Sequence, residues 1–351
     1  MTSASLAKHS RYPLNQSPFF RLKSRKKLAK LLELTPSEME SLANASESER
    51  YRFFPLWIKN KVNPRHIERP VPALRKIQRR ISRLMDRIEP PGYIQSAFRG
   101  RSYLRNAEKH RFDQESAKID IRQFFLSAQS ARVSRAFREQ FECSPDVAAI
   151  LEKFTTVGGH IPTGGNSSTM ISFWAYKPML DEIYGMAAKI GAVMTCCVDD
   201  MTFTGPKVTV EFMNEVRLVI RSYGLGAHKR PRFKAGTPKI VTGVAITAKG
   251  IKLPNIRRLR LHRTFMDVRG EKNLSLKVRK ARRLLGMATE AEQLESRFRW
   301  AVKRAARMLT KAIDVAVDAG ADIRPRRKRP IPAVVHVPAS VLSPAAGTEP
   351  A

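Results

Sequence analysis

The pattern of apolar and polar positions begins as helical and then becomes extended. Residues 1 to about 50 place leucines at helical spacing between lysines, as in RLKSRKKLAKLLEL, and TPSE at Thr35 is a capping-box start with proline at the first helical position. Residues 51–70 predict extended segments joined by a basic turn. The amphipathic pattern LRKIQRRISRLMDRI predicts a helix over residues 73–88, which ends at Pro90-Pro91-Gly92.

The middle of the chain alternates between strand and helix patterns. In AKIDIRQFF, residues 117–125, the alternation predicts a strand with Asp120 and Arg122 on the face opposite Ile119 and Ile121. The further predicted elements are helices over 130–141 and 145–156, a glycine-rich turn VGGHIPTGGNSS, a long apolar helix from about Ser168 to Ile190, a hairpin that contains 197–205, and a helix over 208–222.

The last third of the chain is mostly basic. KIVTGVAI predicts one more strand, and the stretch from about Leu274 to Ala319 is helical and basic in pattern. Residues 324–351 are rich in proline and alanine, which predicts an unstructured tail. No internal repeat is seen.

Composition adds a strong charge bias. Among 351 residues there are 65 Lys and Arg against 31 Asp and Glu, a formal net charge of +34, while 42% hydrophobic residues suffice for a sizeable core. The excess is spread along the chain and favours a polyanionic partner, first of all a nucleic acid. No apolar run approaches the roughly 18 residues of a membrane-spanning helix, and the N-terminus has no secretory signal pattern, so we expect a cytoplasmic protein without a membrane partner.

Cysteine usage argues against two kinds of structural site. The three cysteines are Cys143, Cys196 and Cys197, and no CxxC pair exists. A disulfide framework or a zinc site is therefore not expected, and a reducing compartment fits.

The chemistry-bearing stretch is CVDDMTFTG, in which Asp199 and Asp200 adjoin between strand-prone segments. Adjacent strand residues point to opposite faces, so both carboxylates converge only where the chain bends, as at a hairpin tip. Asp120 on a neighbouring strand is the best candidate for a third carboxylate at the same site. Three carboxylates together with substrate phosphates suit the binding of Mg²⁺. Two Mg²⁺ ions there would activate a hydroxyl and stabilise a leaving pyrophosphate. The alternative is an ordinary acidic turn.

The sequence resembles bacterial retron-type reverse transcriptases from about residue 50 to 270. That family has a tyrosine-x-Asp-Asp hairpin, a D-x-x-x-F-F segment, a P-x-G-x-x-x-S turn, an R-x-I-x-x-P element with a basic helix, and the retron elements N-A-x-x-H and V-T-G. The matching residues here are Cys197-Val198-Asp199-Asp200; Asp120, Phe124 and Phe125; Pro162, Gly164 and Ser168; Arg65, Ile67 and Pro70 with LRKIQRRI; Asn106, Ala107 and His110; and Val241-Thr242-Gly243.

The resemblance implies an α+β fold of the right-hand polymerase type, with an antiparallel palm sheet backed by helices. The corresponding regions are an N-terminal basic helical region at 1–50, fingers at 51–110, palm at 111–250, thumb at 251–323 and the tail at 324–351. It also implies that Asp120, Asp199 and Asp200 are catalytic and hold two Mg²⁺ ions.

The resemblance suggests a nucleotide site with two departures from the family pattern. Arg65 would clamp the triphosphate, Gly164 lies in the nucleotide-binding turn, and Phe125 would act as a steric gate for deoxynucleotides, the alternative being a core aromatic. Thr163 stands where the family commonly has glutamine, and Cys197 replaces the motif tyrosine. Lys229 is the candidate general acid for pyrophosphate, although direct alignment places Pro231 there.

Two groups of residues are candidates for RNA contact. Asn106 and His110 fall on one helix face and are either RNA contacts or a buried polar pair. The second group would form a phosphate-facing stripe on the thumb, the alternative being a solvated charged face, and consists of Arg297, Arg299, Lys303, Arg304 and Arg307.

Three functional hypotheses remain open. The first is a retron RNA-directed DNA polymerase that uses its cognate noncoding RNA as primer and template, with dNTPs, an RNA–DNA hybrid product and a separate defence effector as partners. The second is another defence-associated reverse transcriptase. The third, a different class, is a catalytically weak RNA-binding scaffold.

Overall fold

The computed structural model describes residues 11–57 and 64–323, without the side chains of Arg65, Lys229 and Arg230. The predicted tail at 324–351 lies outside this range. The helices are α1 (Arg25–Leu31), α2 (Pro36–Asn44), α3 (Glu47–Arg50), α4 (Pro72–Met85), α5 (Tyr103–Glu108), α6 (Phe124–Ser127), α7 (Ser130–Arg135), α8 (Pro145–Thr155), α9 (Ser168–Lys189), α10 (Val210–Ser222), α11 (Asn255–Gly270), α12 (Leu274–Leu294) and α13 (Arg299–Asp318).

The strands form three antiparallel sheets. The first hairpin pairs β1 with β2, the central sheet has the order β4-β5-β3-β6, and the small sheet has the order β7-β8-β9. The strands are β1 (Tyr51–Leu56), β2 (Arg65–Pro70), β3 (Ser116–Ile121), β4 (Val193–Cys197), β5 (Asp200–Thr204), β6 (Ala227–Phe233), β7 (Lys239–Val241), β8 (Val244–Thr247) and β9 (Gly250–Lys252). The predicted α+β class with antiparallel sheets is thus confirmed.

The N-terminal helices begin at side-chain caps that the sequence encodes. Thr35 accepts a hydrogen bond from the backbone N–H of Glu38, and the Glu38 carboxylate accepts one from the backbone N–H of Thr35, which completes a capping box. Ser46 and Glu49 repeat the arrangement at α3. These helices pack on the large core, because Leu28, Met39 and other apolar residues of α1 and α2 are buried there.

The two faces of the central sheet differ in character. Ile119, Met201 and Phe203 lie on the covered face within the large core, where Phe203 meets Phe212 of α10 edge-on at 5.5 Å between ring centroids. Residues at the alternate positions, such as Lys118 and Asp120, lie on the opposite face, which we call the carboxylate face. The alternation predicted for β3 is therefore confirmed. The segment after α5 covers the far end of the carboxylate face, where His110 bonds to Thr195 and Thr204.

Several predicted elements have different bounds. The strand predicted over 117–125 ends at Ile121, because Gln123 adopts a left-handed backbone (φ 46°) and α6 follows. KIVTGVAI is two strands, since Thr242 and Gly243 both have positive φ and close a two-residue hairpin between β7 and β8. The helical stretch over 274–319 is broken at Glu295 into α12 and α13, and α11 precedes it unpredicted.

A second core joins the small sheet to the C-terminal helices. α12 and α13 pack closely through buried small residues, among them Ala281 and Ala288 on one helix and Ala301 and Ala305 on the other. Ala107 of α5 belongs to this core although α5 precedes the central sheet in the chain. Among the described residues, no helix is long and apolar enough to cross a membrane.

Candidate active site

The two acidic strands meet at one end of the central sheet. Asp120 of β3 lies directly opposite Asp200 of β5, and Cys197 of β4 is the partner of Asp200 on the other side. The backbone N–H of Ile121 donates to the carbonyl of Asp199 at 3.0 Å, which fixes the turn against the end of β3. The structure therefore brings the three aspartates singled out from the sequence to one end of the sheet.

The turn between β4 and β5 has an unusual backbone. It consists of Val198 and Asp199, and Val198 has a φ of 63°, a left-handed conformation that is rare for a β-branched residue. Ser96 accepts a hydrogen bond from the backbone N–H of Val198 at 3.0 Å, while the segment before it pairs with Cys196. These contacts hold the bend that the two adjacent carboxylates require.

A lysine lies among the carboxylates. The Lys118 ammonium contacts the Asp200 carboxylate at 2.8 Å between Nζ and Oδ2, and both side chains are mostly buried. Burial raises the pKa of the neighbouring Cys197 thiol, the charges of Asp200 and Asp199 raise it further, and the Lys118 charge opposes them. Lys118 was not among the predicted site residues, although alternation from Asp120 places it on the same face of β3.

The aspartates at this end of the sheet are of the ligand type that Mg²⁺ prefers. Within residues 11–57 and 64–323, no three His, Cys, Asp or Glu side chains lie close enough together to hold a metal ion by themselves. Mg²⁺ needs only one or two protein carboxylates, because substrate phosphates and water complete its shell. Asp120, Asp199 and Asp200 supply hard oxygen donors, and the Lys118 ammonium shows that a cation is accommodated beside Asp200.

Phe125 lies in the short helix that follows β3. Its ring stacks on Phe124 with 5.8 Å between centroids, and it remains partly exposed while Phe124 is buried. Partial exposure leaves an edge available to a ligand, so both the gate and the packing role remain compatible with its position.

Thr163 and Gly164 lie in the turn before α9, packed on strand β2. Thr163 donates from its hydroxyl to the carbonyl of His66 at 2.8 Å and from its backbone N–H to the Glu68 carboxylate at 2.9 Å. A Cβ added at Gly164 would lie 2.6 Å from the carbonyl oxygen of Glu68, so only glycine permits this approach. The side chains of Arg65 and Lys229 fall outside the described residues; their backbones lie in β2 and β6.

Asn106 and His110 are buried, contrary to the expectation of RNA contacts. Their exposures are 0% and 4%. His110 bridges the hydroxyls of Thr204 at 2.8 Å (Nδ1) and Thr195 at 2.7 Å (Nε2), and Asn106 donates to the Thr242 hydroxyl at 3.2 Å. The structure thus favours the alternative of a buried polar pair, because neither side chain reaches the surface.

The buried position also determines the charge of His110. Burial, together with the nearby charges of Lys239, Lys118 and Lys109, lowers the pKa of His110 to about 3, so the ring is neutral at physiological pH. Lys239 is itself fully buried and donates to the carbonyls of Arg111 and Gln114 and to the Ser116 hydroxyl. No pattern in the sequence indicated the role of this lysine.

The basic residues predicted as a stripe are exposed at the C-terminal helices. Arg297 pairs with the buried carboxylate of Glu295, and Arg299 pairs with Glu292. The Arg304 guanidinium lies over the Phe265 ring, at 5.6 Å from its centroid. Arg299, Lys303 and Arg307 recur every four residues on exposed positions of α13, which places them along one helix face.

The fold and the site define an α+β protein whose central antiparallel sheet presents aspartates at one end and is backed by helices on one face. No protein-family model matches the chain. It is 27% identical over 163 residues to the Retron Se72 reverse transcriptase of Salmonella heidelberg, covering 46% of this chain and 43% of that protein. It is 24% identical over 270 residues to the Retron Mx162 reverse transcriptase of Myxococcus xanthus, covering 67% and 56%.

These matches confirm the resemblance seen in the motifs: the chain is similar in sequence to two retron reverse transcriptases. The matched part spans about half the length of both relatives.

Proposed function

We propose that this chain is an RNA-directed DNA polymerase of the retron type. The observation that carries the proposal is the pairing of Asp120 with Asp200, beside Asp199, at the end of a helix-backed antiparallel sheet. A reverse transcriptase needs carboxylates from two strands at one point, and the two relatives named as retron reverse transcriptases support the class.

The proposal assigns parts of a right hand to the structure. The first hairpin and α4 correspond to fingers, the central sheet with α7–α10 to a palm, and α11–α13 to a thumb. Incoming dNTPs would lie between the turn at Thr163, strand β2 and Phe125. The exposed cations of α13 would follow the backbone of an RNA–DNA hybrid, which is recognised mainly by its shape.

Asp120, Asp199 and Asp200 would hold two Mg²⁺ ions. When bound, Mg²⁺ supplies Lewis acidity that favours deprotonation of the primer hydroxyl and neutralises triphosphate charge. The residues of the chain itself prepare this site: Lys118 orients the Asp200 carboxylate through its ion pair, and Ser96 holds the turn that carries Asp199.

The biological partners follow from the retron class. The substrate would be a cognate structured noncoding RNA that serves as primer and template, with synthesis starting from one of its 2′-hydroxyls. The product would be single-stranded DNA in a branched linkage to that RNA. A role in anti-phage defence, with a separate effector protein in the cytoplasm, completes the proposal.

The test is nucleotide incorporation on the RNA that copurifies with the chain, with Mg²⁺ present. Asp120→Asn, Asp199→Asn and Asp200→Asn should each abolish DNA synthesis, because asparagine keeps the shape of aspartate but removes the charge that attracts the metal. RNA binding should stay nearly unchanged, since Lys and Arg elsewhere supply it. Sequencing the DNA product and its junction with the RNA identifies a branched retron product.

Asp314→Asn on the exposed surface of α13 is the matched control and should retain synthesis. Thermal melting of each variant separates loss of chemistry from loss of folding. Full synthesis by Asp199→Asn would contradict the role of the carboxylates. A parent protein that binds RNA but synthesises nothing would instead favour the scaffold hypothesis.

A further inference from the structure

A buried glutamate joins the first hairpin to the turn before α9. Glu68 of β2 is 5% exposed. One of its carboxylate oxygens contacts His160 Nε2 at 2.7 Å, and the other accepts the backbone N–H of Thr163 at 2.9 Å. A single carboxylate therefore links two segments that are more than ninety positions apart, with a sequence separation of 92 between Glu68 and His160.

His160 is held by acceptors on both sides of its ring. Nε2 faces the Glu68 carboxylate, and Nδ1 faces the carbonyl of Gly158 at 3.0 Å. Neither partner can donate a hydrogen bond, so both ring nitrogens must donate, which only the imidazolium form does. The geometry therefore selects the charged form of His160.

The surrounding charges act in the same direction. Glu68 approaches from β2 and Glu47 from α3, where Glu47 also accepts the backbone N–H of Gly158 at 2.7 Å. Burial by itself would lower the pKa of His160, but the hydrogen bond and charge of Glu68, with the Gly158 carbonyl and the Glu47 charge, raise it above its ordinary value.

The same contacts place Thr163 and Gly164 on the backbone of β2. The Thr163 hydroxyl donates to the His66 carbonyl at 2.8 Å, and Gly164 leaves no space for a Cβ beside the Glu68 carbonyl. Side-chain hydrogen bonds and close backbone contact together thus fix the position of the turn relative to strand β2. The Thr163 hydroxyl is therefore already engaged in a hydrogen bond to the backbone of β2.

We propose that His160, Glu68 and Thr163 form a latch that positions the turn at Thr163–Gly164 against β2 for the binding of an incoming deoxynucleoside triphosphate. This inference rests on the proposed function, because the turn and β2 are the two sides of the proposed nucleotide site. His160 and Glu68 are positioning residues: they act through the turn, not on the nucleotide.

The latch makes nucleotide binding depend on pH in a defined direction. Because the pKa of His160 is raised on folding, the latch is complete below the ordinary value of 6.5. It is lost as the pH rises through the raised value, when Nε2 or Nδ1 gives up its proton and faces an acceptor without a hydrogen between them. Nucleotide affinity should fall in the same window.

The experiment measures KM for dNTP and kcat separately across about pH 6 to 9 on the copurified RNA. KM of the parent should rise about three- to tenfold as the latch opens, the range expected for losing one hydrogen bond. His160→Gln should show a raised KM without this rise, and Glu68→Gln should move the rise to lower pH. In both variants kcat at low pH should change less than about twofold, which separates positioning from chemistry.

A matched control accompanies these variants. His262→Gln replaces an exposed histidine of α11 and should leave the KM profile unchanged. Thr163→Val removes the hydroxyl that bonds to the His66 carbonyl and should raise KM. Equal KM for the parent and His160→Gln at about pH 6 would overturn the latch.

A second readout does not require activity. In a protein labelled at histidine Cε1, the resonance missing from His160→Gln should titrate above the ordinary value of 6.5, and Glu68→Gln should lower its midpoint. A midpoint at or below that value would refute the latch. If the parent incorporates no nucleotide at any pH, the proposed function and the nucleotide role fail together, while this titration still decides whether the ion pair exists.

Discussion

Val198 and Gln123 carry left-handed backbones on either side of the carboxylates, with φ of 63° and 46°. Such conformations cost about 1–3 kcal/mol for non-glycine residues and persist where surrounding contacts enforce them. Val198 bends β4 into β5 between the carboxylates, and Gln123 turns the chain from β3 into the helix of Phe125. Local strain and candidate chemistry therefore coincide, which supports a functional reason for both bends.

Phe125→Ala should raise incorporation of ribonucleotides relative to deoxynucleotides, because removal of the ring opens space beside the sugar in the proposed site. The ratio of KM and kcat for matched rNTP and dNTP pairs measures this selectivity. Phe137→Leu is the matched control: its ring is buried against Phe19 and Phe141, so it should lower thermal stability without changing the sugar ratio. An active Phe125→Ala enzyme with unchanged selectivity would assign Phe125 to packing.

Single residues were predictable from the sequence where their signals were local. Asp120, Asp199 and Asp200 follow from strand alternation and an acidic bend within a few positions of each. The burial of Asn106 depends on Thr242, 136 positions away, and the ion pair of His160 on Glu68, 92 positions away. Pattern alone does not say which distant segments meet, so these roles required the structure.

At the scale of elements, α13 carries the exposed cations of the C-terminal helices. Replacing Arg299, Lys303 and Arg307 together by alanine should weaken RNA binding and flatten its dependence on salt, because fewer counterions are released on binding. The slope of log affinity against log salt should become less steep by an amount that corresponds to the loss of up to about three phosphate contacts. Thermal melting checks that the helix remains folded.

A matched triple variant removes the same charge elsewhere. Lys207, Arg217 and Arg221 lie beside or on α10, which packs on the covered face of the central sheet. Their replacement by alanine should leave the salt slope closer to that of the parent. Equal effects of the two triple variants would mean that α13 contributes only general charge.

Element boundaries were less predictable than element types. KIVTGVAI has strand composition throughout, yet Thr242 and Gly243 turn it into a hairpin that contacts α5. The sequence pattern did not predict α11, because its apolar residues do not form one stripe. Leu261, Phe265 and Val268 are buried, whereas Ile256 and Met266 are exposed. Tertiary contacts decide such cases.

At the scale of the whole molecule, α5 joins the two hydrophobic cores. Ala107 is buried in the second core, while His110 just after the helix is hydrogen-bonded to β4 and β5 of the central sheet. Tyr103 extends the joint to the C-terminal helices: its hydroxyl contacts Glu290, and Arg257 pairs with the same carboxylate. The relative placement of the sheet and these helices thus depends on a six-residue helix.

His110 should make the stability of the protein sensitive to acid. Its pKa is lowered to about 3 in the folded chain from an ordinary value of 6.5, so protons bind the unfolded chain more tightly and stability falls as the pH drops from about 6.5 towards 3. His110→Gln should melt at lower temperature near neutral pH and lose less stability on acidification.

Thermal melting between about pH 5 and 7.5 checks this, with His262→Gln as the control because that side chain is exposed. A parent and a His110→Gln variant with parallel melting curves across this range would show that His110 is not the acid-sensitive group.

The hydrogen bond between Asn106 and Thr242 also has a consequence for synthesis of the chain. The two residues are 136 positions apart, so at about 5–20 residues per second α5 leaves the ribosome roughly 7–27 seconds before its partner turn exists. During that interval Ala107 and Asn106 have no small sheet to cover them. The central sheet lies within the loop that the Asn106–Thr242 hydrogen bond closes, and Thr242 is the last residue of that loop to be made. Translation speed through residues 107–242 therefore sets the shortest time for which the nascent chain exposes this part of its second core, since α11–α13 arrive later still.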